Sequence, residues 1–69
     1  MPHVEITMFP GRDETTKREL AVKVQSFLCN ELSLEKRFVS VSIRDVPKEQ
    51  WEQSMTRIPA ESMFVKPGI

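Results

Sequence analysis

Apolar and polar residues alternate from His3 to Phe9: Val4, Ile6 and Met8 fall on one face, His3, Glu5 and Thr7 on the other. Period two predicts a strand over 3–9, and Pro10-Gly11 breaks it. Asp13 is placed to cap a helix, with Glu14 in the first turn at the positive end of the dipole. Leu20, Val24, Phe27, Leu28 and Leu32 then recur at helical spacing, with Lys17, Lys23, Ser26 and Asn30 elsewhere on the wheel. That pattern predicts a helix over 13–32. After Glu35-Lys36-Arg37, read as a solvated connection, alternation returns over 37–46. Val39, Val41 and Ile43 face one way, and Phe38, Ser40, Ser42, Arg44 and Val46 the other. Pro47 stops this second strand. Residues 48–55 predict a short helix or helical turn, limited by Pro59. The tail, 61–69, holds one apolar triplet and then Pro67-Gly68, and predicts a short arm.

Strand, long helix, strand is a β-α-β unit, and a connection of this length favours parallel strands with a right-handed crossover. The fold class is therefore α/β, a single domain over 1–69. Two strands and one helix leave a sheet face and both sheet edges uncovered. A chain of 69 residues also buries only about 60% of the surface its unfolded form exposes. The single Cys29 cannot bridge within the chain, and with one histidine, His3, it cannot build a four-ligand zinc site. Subunits that share a core are the remaining remedy.

Composition narrows the function classes. Ten basic and ten acidic residues cancel, which argues against nucleic acid or an acidic membrane surface as partner. No apolar run exceeds three residues, so no membrane span or signal-peptide core is expected. With a lone thiol as well, a cytoplasmic protein is the expectation.

Pro2 is the most informative position. Removal of Met1 leaves a secondary amine at the chain start; an ordinary α-amino group titrates at about 7.7–8.0, and burial near cations lowers such a value. The ring fixes the nitrogen's direction, so little entropy is lost in aiming it. With Met1 retained that nitrogen is an amide and no base. By itself a proline here reads as a strand opener that needs no backbone donor.

Pro2 has company. The start Met-Pro-His-Val-Glu-Ile, the Pro-Gly-Arg turn at 10–12, the single β-α-β unit and Trp51 soon after the second strand together resemble the 4-oxalocrotonate tautomerase family. The Pro-Lys-Glu-Gln-Trp stretch at 47–51 and the Lys66-Pro67-Gly68 tail are similar to its small bacterial phenylenolpyruvate-type tautomerases. The resemblance implies cofactor-free keto–enol tautomerisation of a small 2-hydroxyalkenoate or 2-keto carboxylate such as phenylenolpyruvate, with no metal. Pro2 is then the general base, and Arg12, a planar bidentate donor, holds the carboxylate or the oxygen. Trp51 supplies an apolar wall that keeps the amine's pKa down. It implies a homo-oligomer that joins two-stranded sheets into a larger one. A dimer is expected, a trimer of dimers is the alternative, and Arg12 is a candidate to serve a neighbouring subunit's site.

One position departs from the pattern. The family's second arginine falls at Ser40, which argues for a monocarboxylate with an apolar tail. Arg44, on the same strand face, is a further candidate substrate-binding residue. His3 reads as an exposed strand histidine, Cys29 as packing, and Met8, Met55 and Met63 as core or interface. Hydration or dehalogenation of unsaturated acids needs a carboxylate to activate water, and Glu5 and Asp45 are the candidates. A non-catalytic oligomeric binding module of the same fold is the third reading.

Overall fold

The computed structural model describes residues 1–68; the part of the expected arm at Ile69 lies outside them. The alternating segments form strand β1, His3–Met8, and strand β2, Ser40–Asp45. They pair in parallel, with His3 opposite Ser40 and Met8 opposite Asp45. Between them runs helix α1, Glu14–Leu32. A short helix α2, Trp51–Thr56, follows β2. Single 3-10 turns lie at Lys36–Phe38, Lys48–Gln50 and Ala60–Ser62. The β-α-β unit and the short helical segment before Pro59 agree with the sequence reading.

Both strands are shorter than the alternation predicts, for local reasons. The Val46 N–H donates to the Met8 carbonyl at 2.8 Å. The following rung falls on Pro10, which has no N–H, so β1 ends before Phe9. At the other end, the register puts Phe38 opposite Met1, outside β1. Residues 36–38 coil instead, with Phe38 N–H donating to the Glu35 carbonyl and Val39 N–H to that of Lys36. Arg37 then stacks over Phe38 at 4.5 Å and pairs with Glu35.

Helix α1 starts where Asp13 predicts. The Asp13 carboxylate accepts the Thr16 N–H at 2.9 Å. This bond holds the carboxyl below its usual range. The cap's contribution is therefore complete above the ordinary carboxylate pKa and fades only as pH falls through the lowered one. Gly11 turns the chain into the helix at φ +131°, a conformation open to glycine at little cost. At the far end Ser33, in the left-handed region, donates its N–H to the Cys29 carbonyl and closes the helix.

The helix packs chiefly against β2. Gln25 binds it there through Nε2, which donates to the Lys36 and Val39 carbonyls at 3.2 and 2.9 Å. Lys17, expected on the polar side of the wheel, instead reaches Asp45 at 2.8 Å and pins the helix start to the end of β2. Phe27 and Leu32, expected on the packing stripe, are mostly exposed. The wheel is rotated because α1 covers one strand rather than the middle of a wide sheet.

Among the described residues only Val39 and Val46 are buried, at 4% and 2% exposure. The chain exposes 5910 Å², against roughly 4,400 Å² for a folded monomer of its mass. Its radius of gyration is 13.5 Å, where a compact chain of this length has about 11 Å. The tail adds to the surplus, with Phe64 and Val65 at 92% and 85% exposure. A standard interface covers about 800 Å² per partner, so the excess of about 1,500 Å² is more than one such interface would cover. The thermal midpoint is expected to rise as protein concentration increases, since folding is then linked to assembly by mass action. A midpoint constant over a hundredfold dilution series, read by circular dichroism, would contradict this.

Candidate active site

Parallel pairing gives the sheet two chemically different ends. At the start of both strands lie Pro2, His3, Val39 and Ser40; the Ser40 N–H donates to the Pro2 carbonyl at 3.3 Å. Pro2 itself is half-buried. At the other end lie Phe9, the turn with Arg12, and Trp51. Six steps along the strand separate Pro2 from Met8, on the order of 20 Å. Within one chain, then, the structure does not bring Pro2 and Arg12 together.

The far end is itself assembled. Phe9 meets Trp51 edge to face, with ring centroids 5.0 Å apart and planes at 79°. Trp51 opens α2 and is half-buried. Arg12 is exposed in the turn that leaves Phe9, and among the described residues it forms no ion pair. Phe9 was not singled out by sequence reasoning, although an aromatic on the polar side of β1 next to a Pro-Gly break was a usable signal.

Arg44 shares the sheet face of Ser40, as the alternation predicts. Its Nε donates to Glu5 Oε1 at 2.9 Å. Both side chains are about half exposed, so the pair contributes no more than about 1 kcal/mol and releases Arg44 at little cost. A cleft of about 290 Å³ opens beside it, lined by Glu5, Thr7, Arg44, Ser54, Arg57 and Ile58. Arg57, another residue the sequence did not flag, has no carboxylate partner among the described residues. The end of α2 thus brings a second guanidinium to the polar face, where Arg57, Arg44 and Val46 line a common small cavity.

The two carboxylates considered for activating water are both engaged, on opposite faces of the sheet: Glu5 with Arg44, Asp45 with Lys17. His3 is exposed, as expected, but bonded to Ser40 and Ser42. Cys29 is half-buried on α1, and Met8, Met55 and Met63 are likewise half-buried. Among the described residues no helix is long and apolar enough to cross a membrane.

Comparison with known proteins fits this arrangement. The model of the tautomerase enzyme family matches residues 2–61. The chain belongs to the tautomerase family. A probable tautomerase of Xylella fastidiosa (strain 9a5c) is 31% identical over 99% of this chain and 88% of the relative. A 2-hydroxymuconate tautomerase of Comamonas testosteroni is 39% identical over 74% of this chain and 81% of the relative. This tautomerase is thus an isomerase that interconverts keto and enol forms.

The Phe9–Trp51 contact is expected to hold this end of the tautomerase together. Phe9→Ala should lower stability by about 1 kcal/mol and shift the emission of Trp51, the single tryptophan, to the red as water reaches its edge. Unchanged emission with an unchanged urea midpoint would show the contact to be incidental.

Proposed function

We propose that this tautomerase ketonises a small 2-hydroxyalkenoate monocarboxylate such as phenylenolpyruvate, with Pro2 as general base, in sites formed between two copies of the chain. The observation that carries the reading is the placement of Pro2 at one end of the sheet and Arg12 and Trp51 at the other, in a chain whose family match opens at Pro2 itself. A two-fold axis normal to the sheet pairs like edges antiparallel. The start of one protomer's sheet then stands beside the finish of its partner's. Pro2 of one copy thereby meets the guanidinium and indole of the other, and a dimer is the smallest assembly that does this; a trimer of dimers repeats the same pairing.

The chemistry follows from the parts. After Met1 is removed, the Pro2 nitrogen takes the enol hydroxyl proton and returns a proton to carbon. Charge passes through the 2-oxygen, where a fixed Arg12 donor in a drained site contributes most. Trp51 excludes water and stacks on a conjugated tail. Ser40 supplies no cation, which supports a single carboxylate as the charged group of the substrate.

Met-free protein, checked by intact mass, is expected to speed phenylenolpyruvate ketonisation, followed by ultraviolet absorbance. Pro2→Ala should lower kcat/KM at least about a hundredfold, and equal rates would remove Pro2 from the mechanism. Arg12→Ala should raise KM, lower kcat, or both. Two such variants, each impaired alone, test the shared site. Unfolded together and refolded as mixed dimers, they should regain about a quarter of wild-type activity, because half the dimers carry one intact site of two. Activity that stays at the level of the separate variants would place Pro2 and Arg12 in the same subunit's site.

A further inference from the structure

His3 is the single histidine of the chain, and both of its ring nitrogens are occupied. Nδ1 lies 2.6 Å from Ser40 Oγ and Nε2 lies 2.9 Å from Ser42 Oγ. The register sets His3 opposite Ser40, so the ring bridges two alternate side chains on one face of β2. Ser40 also holds the Pro2 carbonyl through its backbone N–H. One serine therefore fixes both the histidine and the residue that carries the base. The next groups along that face, Glu5 and Arg44, are closed on each other, so Glu5 does not stand as a bare carboxylate beside this clamp.

Counting hydrogens shows what the clamp presents. Two hydroxyls and a neutral imidazole carry three polar hydrogens, and the two internal bonds use two of them. One hydroxyl hydrogen is left to donate outward. A protonated imidazole donates to both serines, which frees both hydroxyl hydrogens and places a positive charge behind them. In either state the clamp has more donors than its own bonds consume. The oxygens are already held by the ring, so engaging a ligand orders little that was free. An anionic acceptor such as a carboxylate fits the one outward hydroxyl hydrogen of the neutral state and, with both its oxygens, the two of the protonated state.

We infer that His3, Ser40 and Ser42 form the carboxylate-recognition site for the substrate at the Pro2 end of the sheet. Arg12 of the partner subunit is then left to the charge that develops on the 2-oxygen. The substrate assignment rests on the proposed Pro2 reaction; the clamp itself rests on the hydrogen-bond geometry. A hydroxyl-imidazole clamp binds one carboxylate with less charge than a guanidinium, in keeping with a monocarboxylate.

The lone histidine makes the test direct, because its ring gives one set of magnetic resonance signals. Titrating the full chain with 3-phenylpropionate, an unreactive monocarboxylate, is expected to shift them saturably; uncharged 3-phenylpropionamide is expected not to. Replacing both serines (Ser40→Ala with Ser42→Ala) should weaken 3-phenylpropionate about tenfold and raise KM for phenylenolpyruvate more than it lowers kcat. His3 signals that stay put in excess 3-phenylpropionate, with Pro2-dependent activity present, would overturn the clamp and leave the reaction standing. A saturable shift in Met-free protein without ketonisation activity would support the clamp and overturn the reaction.

Discussion

A parallel sheet of two strands completes very little of its own bonding. Each strand satisfies one edge in the other and leaves its second edge open. The single crossover helix covers one face, and chiefly one strand of it. Two valines are fully withdrawn from water. Exposed apolar residues on α1 and in the tail, Val22, Phe27, Leu32, Phe64 and Val65, are what such an arrangement leaves unsolved within one chain. Hydrophobic burial is the main favourable contribution to folding, and this chain by itself leaves much of it unrealised.

The same topology sets where chemistry can happen. Parallel strands bring both starts together and both finishes together, so each end collects its own kinds of residue. The starting end has the proline and a histidine–serine clamp; the finishing end has an aromatic pair and three guanidiniums, those of Arg12, Arg44 and Arg57. Neither set is a complete acid–base site. A base without a charge-stabilising donor gains little, and a cation without a base moves no proton. In the proposed dimer, antiparallel association would supply the missing half in each case, the arrangement a two-fold axis imposes on like edges. In that proposed dimer one interface would serve both stability and activity, so what weakens assembly would also take the site apart.

Sequence periodicity carried most of the fold. The alternation in Val4, Ile6 and Met8 and in Val41 and Ile43, together with the Asp13 cap and the Pro47 and Pro59 stops, located every main element. Its errors fell where a neighbour in space, invisible in a linear pattern, made the decision. Phe38 alternates as a strand residue should, yet the register leaves it opposite Met1 and it coils. Lys17 looks solvent-facing until Asp45 is placed beneath the helix start. The family resemblance nominated Pro2, Arg12, Trp51 and Arg44, but their division between two ends of the sheet became visible only through the parallel register. Phe9 and Arg57 escaped notice because their roles depend on α2 folding back over the polar sheet face.

Ser40 shows how a lost charge can be absorbed locally. A guanidinium on an exposed strand is a long, mobile cation, whereas a serine there is short and needs a partner to act on anything. His3, directly opposite, is that partner, and Ser42 holds the other side of its ring. Arg44, paired with Glu5, does not fill the same gap, because it lies four residues nearer the finishing end. That ion pair is weak, since both side chains are about half in water, so its guanidinium remains available to an anion entering the cleft with Arg57. In the proposed reaction the polar face would separate two kinds of anion recognition along one strand. Neutral hydroxyls backed by an imidazole would serve the end with Pro2, and full cations the end where a partner's Pro2 arrives.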